Sequence, residues 1–125
     1  MKRIAFGLAA ILMTTGVGFA VEPAMMAKTP NGNIYTDANG MTLYTFDKDK
    51  VGKSACYDEC AATWPALKVA DGAKAEDGWT IVKRTDGTKM WAYDGKPLYT
   101  YAKDKKAGDM TGEGVGGVWH TAKAG

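Results

Sequence analysis

The same short phrase occurs twice in this chain, and its repetition constrains the fold more than any other feature. Residues 43–49 read LYTFDKD and residues 98–104 read LYTYAKD, so that Tyr44 precedes Tyr99 by 55 residues. The same separation relates a turn glycine and a later tryptophan in each copy, namely Gly40 with Gly95 and Trp64 with Trp119. Because several landmarks share one spacing, the sequence indicates an internal duplication.

Short β-prone segments separated by turn residues predict a mainly β protein. Turn signals such as Asn39-Gly40 and Asp94-Gly95 favour tight antiparallel hairpins. The predicted strands cover residues 34–36, 41–46, 79–84, 90–93, 97–101 and 118–121. We therefore expect one β-rich domain over residues 33–125, with antiparallel hairpins and a meander built from two tandem repeats, about 33–87 and 88–125. The two copies of the phrase are expected to be equivalent strands related by an approximate twofold axis.

Residues 1–20 have the composition of a secretory signal peptide. Lys2 and Arg3 precede an apolar run, and small residues around Ala20 suit a signal peptidase. The run is too short for a comfortable membrane span, and no lipid-attachment cysteine lies near its end. We expect an exported chain, periplasmic or secreted, with a flexible segment over residues 21–32 and no transmembrane segment after cleavage.

The charge balance argues against nucleic acid and anionic membranes as partners. The whole chain has 16 Lys and Arg against 14 Asp and Glu, and removal of Lys2 and Arg3 leaves 14 of each sign. The sequence contains no basic run and no basic helical face. The expected partner is therefore an unknown envelope protein or a small ligand, bound by a monomer or a weak oligomer.

Cys56 and Cys60 are predicted to form a disulfide, because an exported cysteine pair is oxidised more often than it binds a metal. A short helix carrying both is predicted over residues 55–63, and Trp64-Pro65 ends it. Residues i and i+4 of a regular helix are about 5–6 Å apart at Cβ, farther than the ~3.8 Å of a disulfide. The bridge therefore requires a short or distorted helix.

Aromatic residues recur on the predicted strands, and two interpretations of them remain open. The set comprises Tyr44, Phe46, Trp91, Tyr93, Tyr99 and Tyr101. Aromatic side chains on neighbouring strands pack well as an ordinary core. The same side chains can also form a platform for sugar rings or for a flat cofactor.

Asp49 and Asp104 end the two repeated strands at equivalent places. Each is expected to accept hydrogen bonds from backbone N–H groups of its own loop. A calcium loop that uses Asp47 and Asp49 is the alternative. Calcium takes about 6–8 oxygen ligands, however, and the second copy has Ala102 in place of Asp47.

His120 is the only histidine, so any chemistry that depends on histidine rests on it. The sequence has no nucleophile elbow, and oxidised cysteines are not nucleophiles, so no enzyme is predicted. A structural or surface histidine is the first interpretation. A copper or haem site that combines His120 with a methionine, Met110 or Met90, is the alternative.

The chain resembles a family described as secreted repeats of unknown function, predicted lipoproteins with a Tyr-x-(Phe/Trp/Tyr)-x-x-Asp motif. The motif stands here twice, as Tyr44, Phe46 and Asp49 and again as Tyr99, Tyr101 and Asp104. The family's Cys-x-x-x-Cys-Ala-x-x-Trp-Pro segment is matched by residues 56–65. The motif residues, with Trp64 and Trp119, are the candidate structural or binding residues.

The resemblance implies an exported, lipoprotein-like repeat protein and names no activity. The expected role is that of a non-enzymatic binding or interaction module of the cell envelope. The alternative role is copper or haem handling through His120 and methionine side chains.

Overall fold

The computed structural model describes residues 23–124, so the predicted signal peptide lies outside the described residues. Short antiparallel strands dominate this part of the chain. The elements in chain order are β1 (Met25–Thr29), β2 (Gly32–Thr36), β3 (Tyr44–Phe46), α1 (Glu59–Thr63), β4 (Trp79–Lys83), β5 (Lys89–Tyr93), β6 (Lys96–Pro97) and β7 (Trp119–Thr121), with a 3₁₀ turn at Val115–Gly117. Among the described elements no helix is long and apolar enough to span a membrane.

A β-hairpin precedes each of the two repeated strands, so in the structure the first repeat begins at β1 and ends near Lys68, and the second begins at β4. β1 pairs with β2 so that Met25 lies opposite Thr36, and β4 pairs with β5 so that Trp79 lies opposite Tyr93. The first hairpin occupies most of the segment over residues 21–32 that the sequence predicted to be flexible. β1 was not predicted because its sequence, MMAKT, lacks apolar alternation. Met25 and the residue after it, Met26, are both exposed.

The two repeated strands meet at the centre of the fold. The Tyr44 N–H donates to the Tyr99 carbonyl at 2.7 Å, and the Tyr99 N–H donates to the Tyr44 carbonyl at 3.0 Å. This reciprocal pair makes the two tyrosines directly opposed residues of antiparallel strands. The twofold relation expected from the duplication is present, and its approximate axis passes between Tyr44 and Tyr99.

The end of each repeat pairs with the repeated strand of the other repeat. β7, near the end of the second repeat, pairs with β3 so that His120 lies opposite Thr45. At the end of the first repeat, the Pro65 carbonyl accepts the Thr100 N–H at 2.8 Å. Thr45 and Thr100 are equivalent positions, so each repeat pairs with the other in the same way.

A further pair of hydrogen bonds between the repeats lies farther from the axis. The Leu67 N–H donates to the Leu98 carbonyl at 2.9 Å, and the Ala122 N–H donates to the Leu43 carbonyl at 2.8 Å. Both bonds join one repeat to the other, and they are equivalent under the twofold axis. Each half of the fold is therefore assembled from segments of both repeats.

The central strands bury both of their faces, because apolar and aromatic residues stand on each face. One core cluster surrounds the twofold axis and includes Tyr44, Trp64, Tyr99, Tyr101 and Trp119. A second cluster includes Leu43, Trp79, Trp91, Leu98 and Ala122. Successive residues of a strand point to opposite faces, which explains why neighbours such as Leu43 and Tyr44 belong to different clusters.

Cys56 and Cys60 form the predicted disulfide, with their Cα atoms 5.2 Å apart. Helix α1 begins only at Glu59, because Asp58 has a φ of 57°, which lies outside helical geometry. The helix is therefore shorter than the predicted span over residues 55–63. This shortening provides the departure from regular helical geometry that a bridge between residues i and i+4 requires.

Replacing both Cys56 and Cys60 by alanine is expected to lower the free energy of unfolding by about 1–3 kcal/mol, because the closed loop is small. Urea unfolding followed by circular dichroism measures this change against the oxidised wild-type chain. The variant is expected to keep a cooperative transition. Loss of that transition would mean that the bridge is required for folding.

Candidate functional site

Each motif tyrosine donates its hydroxyl to the motif aspartate of the other repeat. The Tyr44 hydroxyl lies 2.7 Å from Asp104 Oδ2, and the Tyr99 hydroxyl lies 2.6 Å from Asp49 Oδ2. Both tyrosines are completely buried. These crossed tyrosine–aspartate pairs join the repeats through side chains, in addition to the backbone pairing at the axis.

Each motif aspartate also accepts a backbone N–H from its own loop, as the sequence predicted. Asp49 Oδ1 accepts the Ala55 N–H at 2.7 Å, and Asp104 Oδ1 accepts the Thr111 N–H at 3.0 Å. One carboxylate oxygen thus orders the loop after the strand, and the other accepts the tyrosine hydroxyl of the opposite repeat. Asp47, which the alternative calcium loop would use together with Asp49, contacts a ring nitrogen of His120.

The protonation of the crossed pairs follows from their burial. Burial and the hydrogen bond to the partner carboxylate raise the pKa of Tyr44 and of Tyr99 above the usual phenol range. Burial also raises the pKa of Asp49, although the hydrogen bonds from Tyr99 and Ala55 act in the opposite direction. Both tyrosines therefore remain hydrogen-bond donors at neutral pH.

Four aromatic rings stack in a row across the twofold axis. Trp64 and Trp119 lie face to face, with 3.8 Å between ring centroids and 3° between ring planes. Tyr101 stacks on Trp64 at 4.0 Å, and Phe46 stacks on Trp119 at 4.1 Å. The two tryptophans and Tyr101 are buried, so this part of the aromatic set is core and not an open platform.

A buried arginine that the sequence did not single out connects the disulfide segment to one crossed pair. The Arg84 guanidinium donates to Ser54 Oγ at 2.8 Å and to the Cys56 carbonyl at 2.5 Å. Ser54 Oγ lies in turn 2.7 Å from the Tyr99 hydroxyl. The guanidinium also lies 4.4 Å from the ring centroid of Tyr57. These contacts satisfy a buried charge and give Arg84 a structural role.

His120 lies between two carboxylates at the surface. Its Nε2 is 2.9 Å from Asp47 Oδ2, and its Nδ1 is 3.2 Å from Glu113 Oε2. The other Glu113 oxygen accepts the Thr121 N–H at 2.8 Å, which fixes the carboxylate beside the ring. Hydrogen bonds to Asp47 and Glu113 raise the pKa of His120 above its ordinary value of 6.5.

A groove of about 350 Å³ opens beside His120. Its lining combines apolar floor residues, two tyrosines and charged groups at the rim, including Leu98, Ala122, Tyr35, Tyr93, Asp47 and Lys96. Leu98 and Ala122 are buried, whereas Asp47 and Lys96 are exposed. The volume suits a small ligand, since ligand pockets begin at about 300 Å³. We call this feature the groove.

Part of the groove repeats the architecture of the other half of the molecule. Thr45 and Leu98 correspond, at a separation of 55 residues, to Thr100 and Leu43, so their identities are unchanged. The Thr45 hydroxyl lies 3.5 Å from the His120 carbonyl, and the Thr100 hydroxyl lies 3.3 Å from the equivalent carbonyl, that of Pro65. These residues belong to the framework that both halves share.

The polar groups of the groove do not repeat. Asp47, Lys96 and His120 correspond at the same separation to Ala102, Met41 and Pro65. The backbone is nevertheless equivalent, because the N–H groups of Asp47 and Ala102 each donate to the matching carbonyl at 2.8 Å. The fold therefore accommodates apolar residues at all three positions, and its packing does not require the polar set.

The structure divides the residues that the sequence singled out into separate groups. The eight motif and tryptophan residues gather around the axis, whereas Trp91 and Tyr93 lie in or against the second cluster. His120 is bonded to carboxylates through both ring nitrogens, and Met110 is half-buried. Within residues 23–124, no three His, Cys, Asp or Glu side chains are placed to hold one metal ion.

Sequence reasoning did not connect Glu113, Lys96 or Tyr35 with His120. Glu113 lies in a glycine-rich loop whose path no periodicity predicts, and Lys96 follows a tight turn. No local signal in the sequence brings these residues together. A comparison of positions 55 residues apart shows only that Asp47, Lys96 and His120 differ between the copies, as most positions of the two repeats do.

Fold and site together define a β protein formed by two interlocked repeats. A family model described as a secreted repeat of unknown function matches residues 25–68 and again residues 80–123. The chain therefore belongs to this family of secreted repeats. Searches of curated proteins and of solved structures each returned no match.

Tyr99→Phe is expected to lower the free energy of unfolding by about 1–3 kcal/mol, because it leaves the Asp49 carboxylate without its buried donor. Tyr44→Phe should have a similar effect through Asp104. Tyr93→Phe is the control, and it should change stability by less than about 0.5 kcal/mol. Chemical denaturation measures all three variants. Equal effects in all three would contradict a special role for the crossed pairs.

The His120 contacts predict a pH-dependent contribution to stability. The pKa of His120 is raised in the folded chain, so this stabilisation is complete below its ordinary value of 6.5 and is lost as pH rises through the raised pKa. The stability difference between wild type and His120→Gln should therefore shrink as pH rises. Thermal melts over a pH series test this, and parallel curves would contradict it.

Proposed function

We propose that this secreted repeat protein is a non-enzymatic binding module and that the groove beside His120 is its ligand site. The observation that carries the proposal is the unequal chemistry of two equivalent surfaces. Asp47, Lys96 and His120 stand where the other half has three apolar residues. A polar set that the framework does not need is best explained by a ligand.

The arrangement around His120 favours binding over catalysis. Both imidazole nitrogens bond to carboxylates, Asp47 and Glu113, and so neither activates a hydroxyl or thiol nucleophile. Cys56 and Cys60 are joined in the disulfide. His120, itself held by Glu113, thus serves to position the Asp47 carboxylate at the groove.

The groove chemistry suits an uncharged polyhydroxylated ligand the size of a disaccharide. Its buried floor and tyrosine wall match the apolar C–H face of a sugar ring. At the rim, Lys96 provides hydrogen-bond donors and the Asp47 carboxylate provides acceptors. Hydroxyl groups both donate and accept, so they pair with a rim that carries both kinds of group.

Two neutral disaccharides, cellobiose and N,N′-diacetylchitobiose, serve as probes. Titration into the ¹⁵N-labelled chain should shift the backbone amide signals of Thr45, Tyr93, Lys96 and His120. Shifts that centre elsewhere would contradict the assignment of the groove. An absence of shifts with both probes at millimolar concentration would contradict the proposed class of ligand.

The repeat supplies a matched pair of variants for this experiment. Asp47→Ala with Lys96→Met copies the other half into the groove, and it should abolish binding while the fold is retained. Ala102→Asp with Met41→Lys makes the reverse change in the other half, and it should leave binding unchanged. Loss of binding in both variants would point to a general structural effect.

The alternative proposed from the sequence, copper or haem handling through His120 and Met110, is distinguished in the same samples. Copper(I) or haem would have to displace Asp47 or Glu113 from a ring nitrogen. This alternative would be favoured over saccharide binding if the wild-type chain retains copper(I) or haem after dialysis. The His120→Gln variant should then lose that retention, and the Asp47→Ala, Lys96→Met variant should keep it.

A further inference from the structure

The interface between the two repeats is reciprocal at its centre. The central backbone pair and the stacked tryptophans each join a residue of 25–68 to its equivalent in 80–123, and the two crossed tyrosine–aspartate pairs are equivalent to each other. Strand β3 of the first repeat is completed by β7 of the second. None of these contacts requires that the two repeats belong to the same chain.

The segment between the repeats, residues 69–78, adds little to that interface. Most of its side chains are exposed. Most of its backbone hydrogen bonds are local, such as the Ala73 N–H to the Ala70 carbonyl at 3.1 Å, and the Gly78 carbonyl accepts the Asp94 N–H within the second repeat at 2.9 Å. Val69 and Ala73 pack against the second core cluster. We call residues 69–78 the linker.

The linker makes a crossover that needs most of its length. Lys68 lies opposite Met90, and Met90 lies opposite Val82, so the linker must pass over β5 to reach β4. The ends of the linker are two strand spacings apart across the sheet and, from Val82 back to Trp79, three residues apart along it. The straight-line distance between them is therefore roughly 14 Å. A connection that passes around an intervening strand must be longer than that.

We propose that this chain exchanges repeats with a second copy of itself. The first repeat of one chain pairs with the second repeat of the other, and the reverse pairing closes a symmetric dimer. The dimer reproduces every contact between the repeats, so only the linker changes its path. In the monomer the linker gives each repeat a high effective concentration of the other, which favours pairing within one chain. A rising protein concentration favours pairing between two chains.

A shortened linker tests the proposal directly. Deletion of residues 70–77 leaves a connection from Lys68 to Trp79 that reaches about 11 Å at full extension, less than the crossover requires. We expect a dimer by light scattering, at twice the wild-type mass, with an unchanged near-ultraviolet circular dichroism spectrum. A monomer with the wild-type spectrum would overturn the proposal.

A second measurement uses the unaltered chain and remains decisive if the deletion variant does not fold. Tagged and untagged full-length chains, with the disulfide intact, are unfolded, mixed and refolded together at a series of protein concentrations. Untagged chain should co-purify with the tag in the dimer fraction and increase with concentration. Absence of mixed dimer at every concentration would overturn the proposal.

Two controls separate exchange from nonspecific association. Folded tagged and untagged chains that are mixed without unfolding should give no mixed dimer on the same timescale. A chain with ten Gly and Ser residues inserted after Asp71 should refold with less mixed dimer, because the crossover becomes easier. An equal yield from the lengthened chain would contradict a role for the linker. None of these measurements depends on a ligand in the groove.

Discussion

The fold depends on the mutual recognition of Tyr44 and Tyr99. Their backbones exchange two hydrogen bonds at the twofold axis, and their hydroxyls reach across to Asp104 and Asp49. The motif Tyr-x-aromatic-x-x-Asp is therefore one device. The tyrosine donates to the other repeat, the aromatic residue ends the ring stack, and the aspartate receives a hydroxyl that would otherwise be buried without an acceptor. Loss of the tyrosine or of the aspartate removes a hydrogen bond that joins the two repeats.

The two repeats solve the same local problem with different residues. Beside Tyr99, the first repeat places Ser54, which the buried Arg84 also holds. Beside Tyr44, the second repeat places Gly112, whose N–H donates to the tyrosine hydroxyl at 3.1 Å. A Cβ atom at Gly112 would lie only 2.8 Å from the Trp64 ring. The missing side chain therefore permits the close approach of the Trp64 and Tyr44 rings.

The sequence predicted the central strands because their repetition and alternation are local signals, and it predicted the disulfide because the compartment constrains cysteine chemistry. It did not predict which repeat each tyrosine would contact. A repeat period relates Tyr44 to Tyr99 but does not state whether Asp49 pairs within its own repeat or across the axis. Arg84 was missed for a similar reason, because an isolated arginine in a hairpin is usually solvated, and only tertiary packing buries it.

An internal duplication allows framework and function to be separated without any second sequence. Residues that the fold needs are retained in both copies, as with the crossed pairs, the stacked tryptophans, and Thr45 with Thr100. Residues that one half carries and the other lacks are not part of the shared framework, although some of them, such as Arg84, have structural roles of their own. Asp47, Lys96 and His120 lie together at one groove although they come from different strands and loops. His120 is held by hydrogen bonds to Asp47 and Glu113, and it lies beside a buried apolar floor that opens to the surface. This ordered set of polar groups next to apolar surface is the physical reason to look for a ligand there.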